Sequence, residues 1–103
     1  RSITNYLLKM ALPLQIQKLL QALANENRQR IMLLFASQPI LTVSEVAQRT
    51  GLGMSTASEH LKLLKEAGLL TAEKIGKEVE YRANVAQIQQ TLDQLNGFLK
   101  QCC

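Results

Sequence analysis

Apolar residues recur along this chain at two different periods, and the switch between them divides it. Near the start, Ile3, Tyr6, Leu7 and Met10 stand at helical spacing over Ser2 to Met10. Pro13 breaks or restarts that helix and suits a first helical position. From there Leu12, Ile16, Leu19 and Leu23 form one apolar stripe. Asn25 is a good N-cap, and Glu26 behind it places a carboxylate where the helix dipole favours it. The helix it opens is predicted to run to about Ser37, burying Ile31, Leu34 and Phe35, and to end at Gln38-Pro39. Thr42-Val-Ser-Glu45 has the form of a capping box for a short helix over Val43 to Thr50, with Gly51 closing it. Gly51-Leu52-Gly53 reads as a tight turn. A further helix is predicted from near Met54 to Gly68, with Ala57, Leu61 and Leu64 inward and Ser55, Ser58, Glu59, Lys62 and Lys65 outward.

After Gly68 the period falls to two. Leu70 to Ile75 and Glu78 to Ala83 read as strands joined by the two-residue turn Gly76-Lys77. That register sets Glu73 opposite Glu80, an unfavourable pair unless Arg82 shields it diagonally. Val85 to Gln101 returns to helical spacing, with Ile88, Leu92, Leu95, Leu99 and Cys102 on a heptad-like seam.

Composition narrows the picture. The 103 residues suffice for a single domain, residues 1–103, and at 47% hydrophobic and 4% aromatic its core must be aliphatic. The longest apolar run, Ile31 to Ala36, is far short of a membrane span. No charged-then-apolar leader opens the chain, and the adjacent Cys102 and Cys103 cannot staple a fold. Both features fit a cytoplasmic protein. A net charge of +4 invites a polyanion, yet Lys62, Lys65, Lys74, Lys77 and Arg82 are balanced by Glu59, Glu66, Glu73, Glu78 and Glu80. A nucleic-acid surface would therefore have to be assembled by folding. With one histidine, no Gly-rich phosphate loop and no nucleophile–base pair, the chain is not expected to be an enzyme.

The order is informative: short helix, glycine turn, helix with a hydroxyl-rich start, hairpin. It matches a helix-turn-helix unit, whose second helix enters the major groove and reaches base edges with its N-terminal residues. The residues alone leave open an ordinary small helical domain in which Ser55, Thr56 and Ser58 are only a solvated helix start, and a winged-helix module for protein–protein contact that uses the second helix as its docking surface.

Several segments together resemble the ArsR/SmtB family of winged-helix repressors. They are Leu23-Ala-Asn-Glu-Asn-Arg28-Gln-Arg-Ile-Met-Leu-Leu34, Val43-Ser-Glu-Val-Ala47, Ser55-Thr-Ala-Ser58-Glu-His60-Leu, Leu64-Lys-Glu-Ala-Gly-Leu69 and Gly76-Lys-Glu-Val79-Glu-Tyr81-Arg82. The resemblance implies a mainly α fold with a small β-hairpin wing, dimerising through its first and last helices, about 3–23 and 85–101. Leu12, Ile16, Leu19, Ile88, Leu92, Leu95 and Leu99 would form that interface. It implies double-stranded DNA, as a palindromic operator, for partner. Ser55, Thr56, Ser58, Glu59, His60 and Lys62 would make contact from the recognition helix, and Lys77 from the wing tip. His60 would bond a backbone phosphate, and Arg28 would be either structural or phosphate-facing. Met54 and Glu59 depart from the family, which often has Gln at the first position and Gln or Arg at the second. The family's two usual metal sites fall on Thr42 and Ser44, and on Val85, Gln87, Phe98 and Gln101. Neither set is a credible ligand group, so no metal or cofactor is expected and the effector stays unassigned. Cys102 and Cys103 are either a thiol pair for a thiophilic or oxidising agent, or a tail in which Cys102 completes the apolar seam.

Overall fold

The computed structural model describes residues 12–102. The helix expected over Ser2 to Met10, and Cys103, lie outside the described residues. The first described helix, α1, spans Leu14–Leu23. Pro13 stands before it rather than in it, and its carbonyl accepts from the N–H groups of Ile16 and Gln17 at 3.0 and 3.1 Å. Leu12 is therefore outside the helix whose stripe it was expected to extend.

Helix α2 spans Glu26–Ser37, and the side chain of Asn25 caps it by accepting from the Arg28 N–H at 3.0 Å. Strand β1, Ile40–Thr42, follows and was not anticipated. Thr42 then starts α3, Val43–Thr50, through the expected capping box. Its hydroxyl accepts from the Glu45 N–H at 3.2 Å, and its own N–H donates to the Glu45 carboxylate at 2.9 Å. That backbone donor above all holds the Glu45 carboxyl below the usual carboxylate range, and Gln38, the Thr42 hydroxyl and Arg49 act in the same direction. Gly51 closes α3 with φ +79°, a left-handed conformation that costs a side-chain-bearing residue about 1–2 kcal/mol.

Helix α4 spans Met54–Glu66, ending short of Gly68. The chain reverses there in a Schellman motif. The Leu69 N–H donates to the Leu64 carbonyl and the Gly68 N–H to the Lys65 carbonyl, at 2.9 and 3.0 Å. Leu64 and Leu69 are both buried, which adds the apolar contact that accompanies this cap.

Strands β2, Leu70–Ile75, and β3, Glu78–Ala83, form the predicted hairpin, and Glu73 does face Glu80. Strand β1 pairs with the other edge of β3, giving an antiparallel sheet of order β1-β3-β2. Helix α5, Val85–Cys102, completes the chain and packs on α1. Ile31, Leu41, Val46, Ala57, Leu61, Leu64, Leu70 and Tyr81 fill the core between the helices and one face of the sheet. Each large aliphatic side chain buried there contributes about 1.5–3 kcal/mol. The architecture is a winged helix-turn-helix, with α3 and α4 as the two helices and β2–β3 as the wing.

Two of the expected interface residues are consumed inside the protomer. Ile16 and Leu19 are 1% and 2% exposed, so they present nothing to a second copy. The apolar stripe of α1 was legible, but Leu19 packs into the chain's own core. The seam of α5 divides in a similar way. Ile88 packs against the core, and Thr91 beside it is fully buried, donating to the Gln87 carbonyl at 2.8 Å and accepting from the Gln87 side chain at 3.3 Å. Further along, Leu92 and Leu99 are 47% and 48% exposed and Leu95 is half-buried.

Candidate nucleic-acid interface

Helix α4 buries Ala57, Leu61 and Leu64. At 100° per residue the opposite side carries Ser55, Glu59, Lys62 and Glu66, all exposed. The N-terminus of α4 differs from that of α3 in one chemical respect. Gly53 occupies the cap position and no side chain among the described residues caps the helix. The first-turn N–H groups therefore remain donors, at the positive end of a 13-residue helix, which is the arrangement that receives an anion. Short hydroxyl side chains at Ser55 and Thr56 let that end approach a partner closely.

The wing is segregated by charge. Alternation along β2 and β3 puts Thr71, Glu73, Ile75, Glu78, Glu80 and Arg82 on the face turned from the core. Leu70, Ala72, Lys74, Val79 and Tyr81 lie on the other face. Val79, the cross-strand partner of Lys74, lines a cleft between the wing and the start of α4. That cleft also takes in Lys77 at the turn and Glu78 beside it, Met54, Ser55 and Ser58 of α4, and Thr42 and Ser44 at the start of α3. The fold thus unites three sequence-predicted residues, Ser55, Ser58 and Lys77, in one concavity. It adds three polar residues that sequence reasoning missed as partners of that site: Thr42, Ser44 and Glu78. The two-residue period of β2 sets Lys74 on the same face as Val79 and opposite in face to Glu73.

The other flank of α4 carries Thr56 and His60. His60 is half-buried, and its Nδ1 lies 3.2 Å from a guanidinium nitrogen of Arg28. Arg28 also donates to the Ala22 carbonyl at 2.7 Å and to the Gln21 carbonyl at 3.4 Å, both at the C-terminal end of α1. Of the two roles open to Arg28, the structure gives it the structural one. Glu59 and Lys62 are exposed on the outer face, away from the cleft.

At the far end of α5, Cys102 is exposed and its Sγ donates to the Leu99 carbonyl at 3.4 Å. Thr42 Oγ1 and Ser44 Oγ are 3.4 Å apart. Among the described residues, no three His, Cys, Asp or Glu side chains gather as metal ligands would, and no helix is long and apolar enough to cross a membrane.

Comparison with known proteins bears on this geometry. Residues 23–73, which run from the end of α1 through the recognition helix into β2, match a family model described as a helix-turn-helix domain. The chain is 32% identical over 89 residues to a cadmium resistance transcriptional regulatory protein CadC homolog of Staphylococcus aureus, covering 86% of this chain and 72% of that protein. It is 39% identical over 71 residues to the arsenical resistance operon repressor of Escherichia coli, covering 69% of this chain and 58% of the repressor. Among solved structures it resembles a homodimeric winged helix-turn-helix DNA-binding domain from Mycobacterium bovis, described as a possible ArsR-family transcriptional regulator. The TM-score is 0.67 at 33% identity, over 81% of this chain and 78% of that one.

Proposed function

Because this chain belongs to the ArsR/SmtB family of winged helix-turn-helix transcriptional regulators, we propose that it acts as a homodimeric repressor that binds a palindromic operator in the cytoplasm. The observation that carries the reading is the cleft uniting the uncapped, hydroxyl-bearing start of α4 with Lys77 of the wing. In this reading α4 enters the major groove. Ser55, Thr56 and Ser58 approach base edges and phosphates, while the first-turn amides face a phosphate. Glu59 cannot accompany a phosphate; on the outer face of α4 it is placed to accept from a cytosine amino group. Lys62 lies one turn beyond Ser58, and Lys77 and Lys74 follow the neighbouring backbone. Glu73 and Glu80 lie on the opposite face of the wing, so the wing approaches DNA by its tip and its core-side edge, with Glu78 beside Lys77 in the cleft.

Two copies are required for a palindrome. The outer part of the α5 seam, exposed Leu92 and Leu99 with half-buried Leu95 between them, supplies an apolar surface for a two-fold contact. The test is fluorescence anisotropy on a duplex selected from a random pool. Binding that weakens steeply with salt, with two chains per duplex, supports the reading, since each phosphate contact releases counterions. Selection that enriches nothing supports a protein-docking module in its place.

A further inference from the structure

Arg28 belongs to α2, yet its guanidinium ends on a side chain of the recognition helix. Nε donates to the Ala22 carbonyl at 2.7 Å, one terminal nitrogen to the Gln21 carbonyl at 3.4 Å, and the other meets His60 Nδ1 at 3.2 Å. The two carbonyls are in the last turn of α1, the negative end of that helix, which suits a cation. The Arg28 backbone is fixed as well, since its N–H donates to the capping side chain of Asn25. The guanidinium is thus anchored at one side and presents a donor at the other.

An arginine has donors and no acceptor. In this pair Nδ1 of His60 therefore has to accept, and the ring proton belongs on Nε2, at the far edge of the imidazole. We propose that Arg28 is a positioning residue for DNA binding, one that holds His60 as an oriented Nε2–H donor to a backbone phosphate of duplex DNA. The proposal rests on the DNA-binding reading above and names what prepares one of its contacts. Arg28 is engaged on three sides and acts through His60 without touching the phosphate. The ring is fixed before DNA arrives, so its rotamer freedom is not lost on binding. The same anchor ties the end of α1 to the recognition helix.

His60 is the chain's one histidine, so its ring can be read in the full protein without ambiguity. Long-range 1H–15N spectra recorded above the histidine titration range should show a protonated Nε2 and an accepting Nδ1. In Arg28→Ala the ring should move toward the averaged pattern of free imidazole. A wild-type ring protonated on Nδ1 overturns the proposal, whatever the variants do. Binding to the selected duplex is measured alongside. His60→Ala and Arg28→Ala should each weaken it about tenfold, the scale of one charge-assisted hydrogen bond. The double variant should bind no worse than His60→Ala alone. Should Arg28→Ala fail to fold, Arg28→Lys takes its place, since one ammonium cannot span both carbonyls and the ring. Equal loss from the Arg28 change with and without His60 overturns the proposal. If the wild type enriches no duplex, the DNA reading fails and the proposal falls with it. The ring spectrum then still reports whether Arg28 holds His60.

Discussion

Gln15 of α1 donates from its side chain to the Ala67 carbonyl at 3.0 Å, and so fastens the C-terminal end of the recognition helix to the helix that leads the described fold. Gly68 lies directly beneath this bond. A Cβ built on Gly68 would stand 2.7 Å from Gln15 Nε2 and 3.1 Å from Gln87 Cγ, at a φ of +82°. Gly68→Ala is therefore expected to combine left-handed strain of about 1–2 kcal/mol with loss of the Gln15 bond, about 1 kcal/mol. Urea unfolding should show a loss of about 2–3 kcal/mol with an unchanged slope. Retention of wild-type stability would mean that this turn is not as tight as described.

The two wing lysines should be distinguishable from the wing glutamates by salt. Each phosphate contact contributes a slope of about 0.9 in log K against log salt. Lys77→Ala and Lys74→Ala are each expected to lower the slope by about one per subunit. Glu73→Gln and Glu80→Gln, on the opposite face of the hairpin, should leave it nearly unchanged. A drop on changing Lys77 but none on changing Lys74 would confine the contact to the wing tip.

Glu59 makes a prediction of opposite sign in affinity and specificity. Replacing it with alanine removes a carboxylate that phosphate repels, so binding to arbitrary duplex should tighten. Discrimination at one cytosine should be lost, by about 1–3 kcal/mol as for a single good base contact. Binding profiles over singly substituted operators check this. An unchanged profile would remove Glu59 from base reading.

These positions differ in how far the sequence disclosed them. The Thr42–Glu45 box and the hairpin around Gly76-Lys77 were legible because each is a local device, closed within a few residues. Strand β1 was not. Ile40–Thr42 is too short to show alternation, and it exists because Leu41 pairs with Tyr81, forty residues on. The stripe of Ile16 and Leu19 was visible, but periodicity states that a face is buried and not against what. Lys74 was counted as a charge when the informative quantity was its face. The Arg28–His60 contact spans 32 residues and only tertiary structure reveals it.

Glu45 gives the fold a pH dependence whose direction is set. Its carboxyl titrates lower in the folded chain than in the unfolded one, chiefly through the Thr42 N–H. The stabilisation is thus fully present above the ordinary glutamate pKa of about 4.3 and is lost as pH falls through the lowered folded value. Glu45→Gln keeps a residue type the capping box accepts but removes the charge. Its thermal midpoint should respond less to acidification than that of the wild type across this window. Parallel curves would contradict the role given to the Thr42 bond.

The two apolar sets of α1 and α5 should respond differently to change. Leu92→Asp alters an exposed seam residue and is expected to give folded monomers in sedimentation. Ile16→Ala, at a fully buried site, should cost about 2–5 kcal/mol of stability and leave the association state unchanged. A Leu92→Asp chain that stays dimeric would move the two-fold contact away from α5.

The measurement that bears most directly on the whole account is selection from random duplex DNA, followed by counting the chains bound to the enriched sequence. The expected product is an inverted repeat whose half-site centres lie about one helical turn, 10–10.5 base pairs, apart and which is occupied by two chains. A single unrepeated site holding one chain would contradict it.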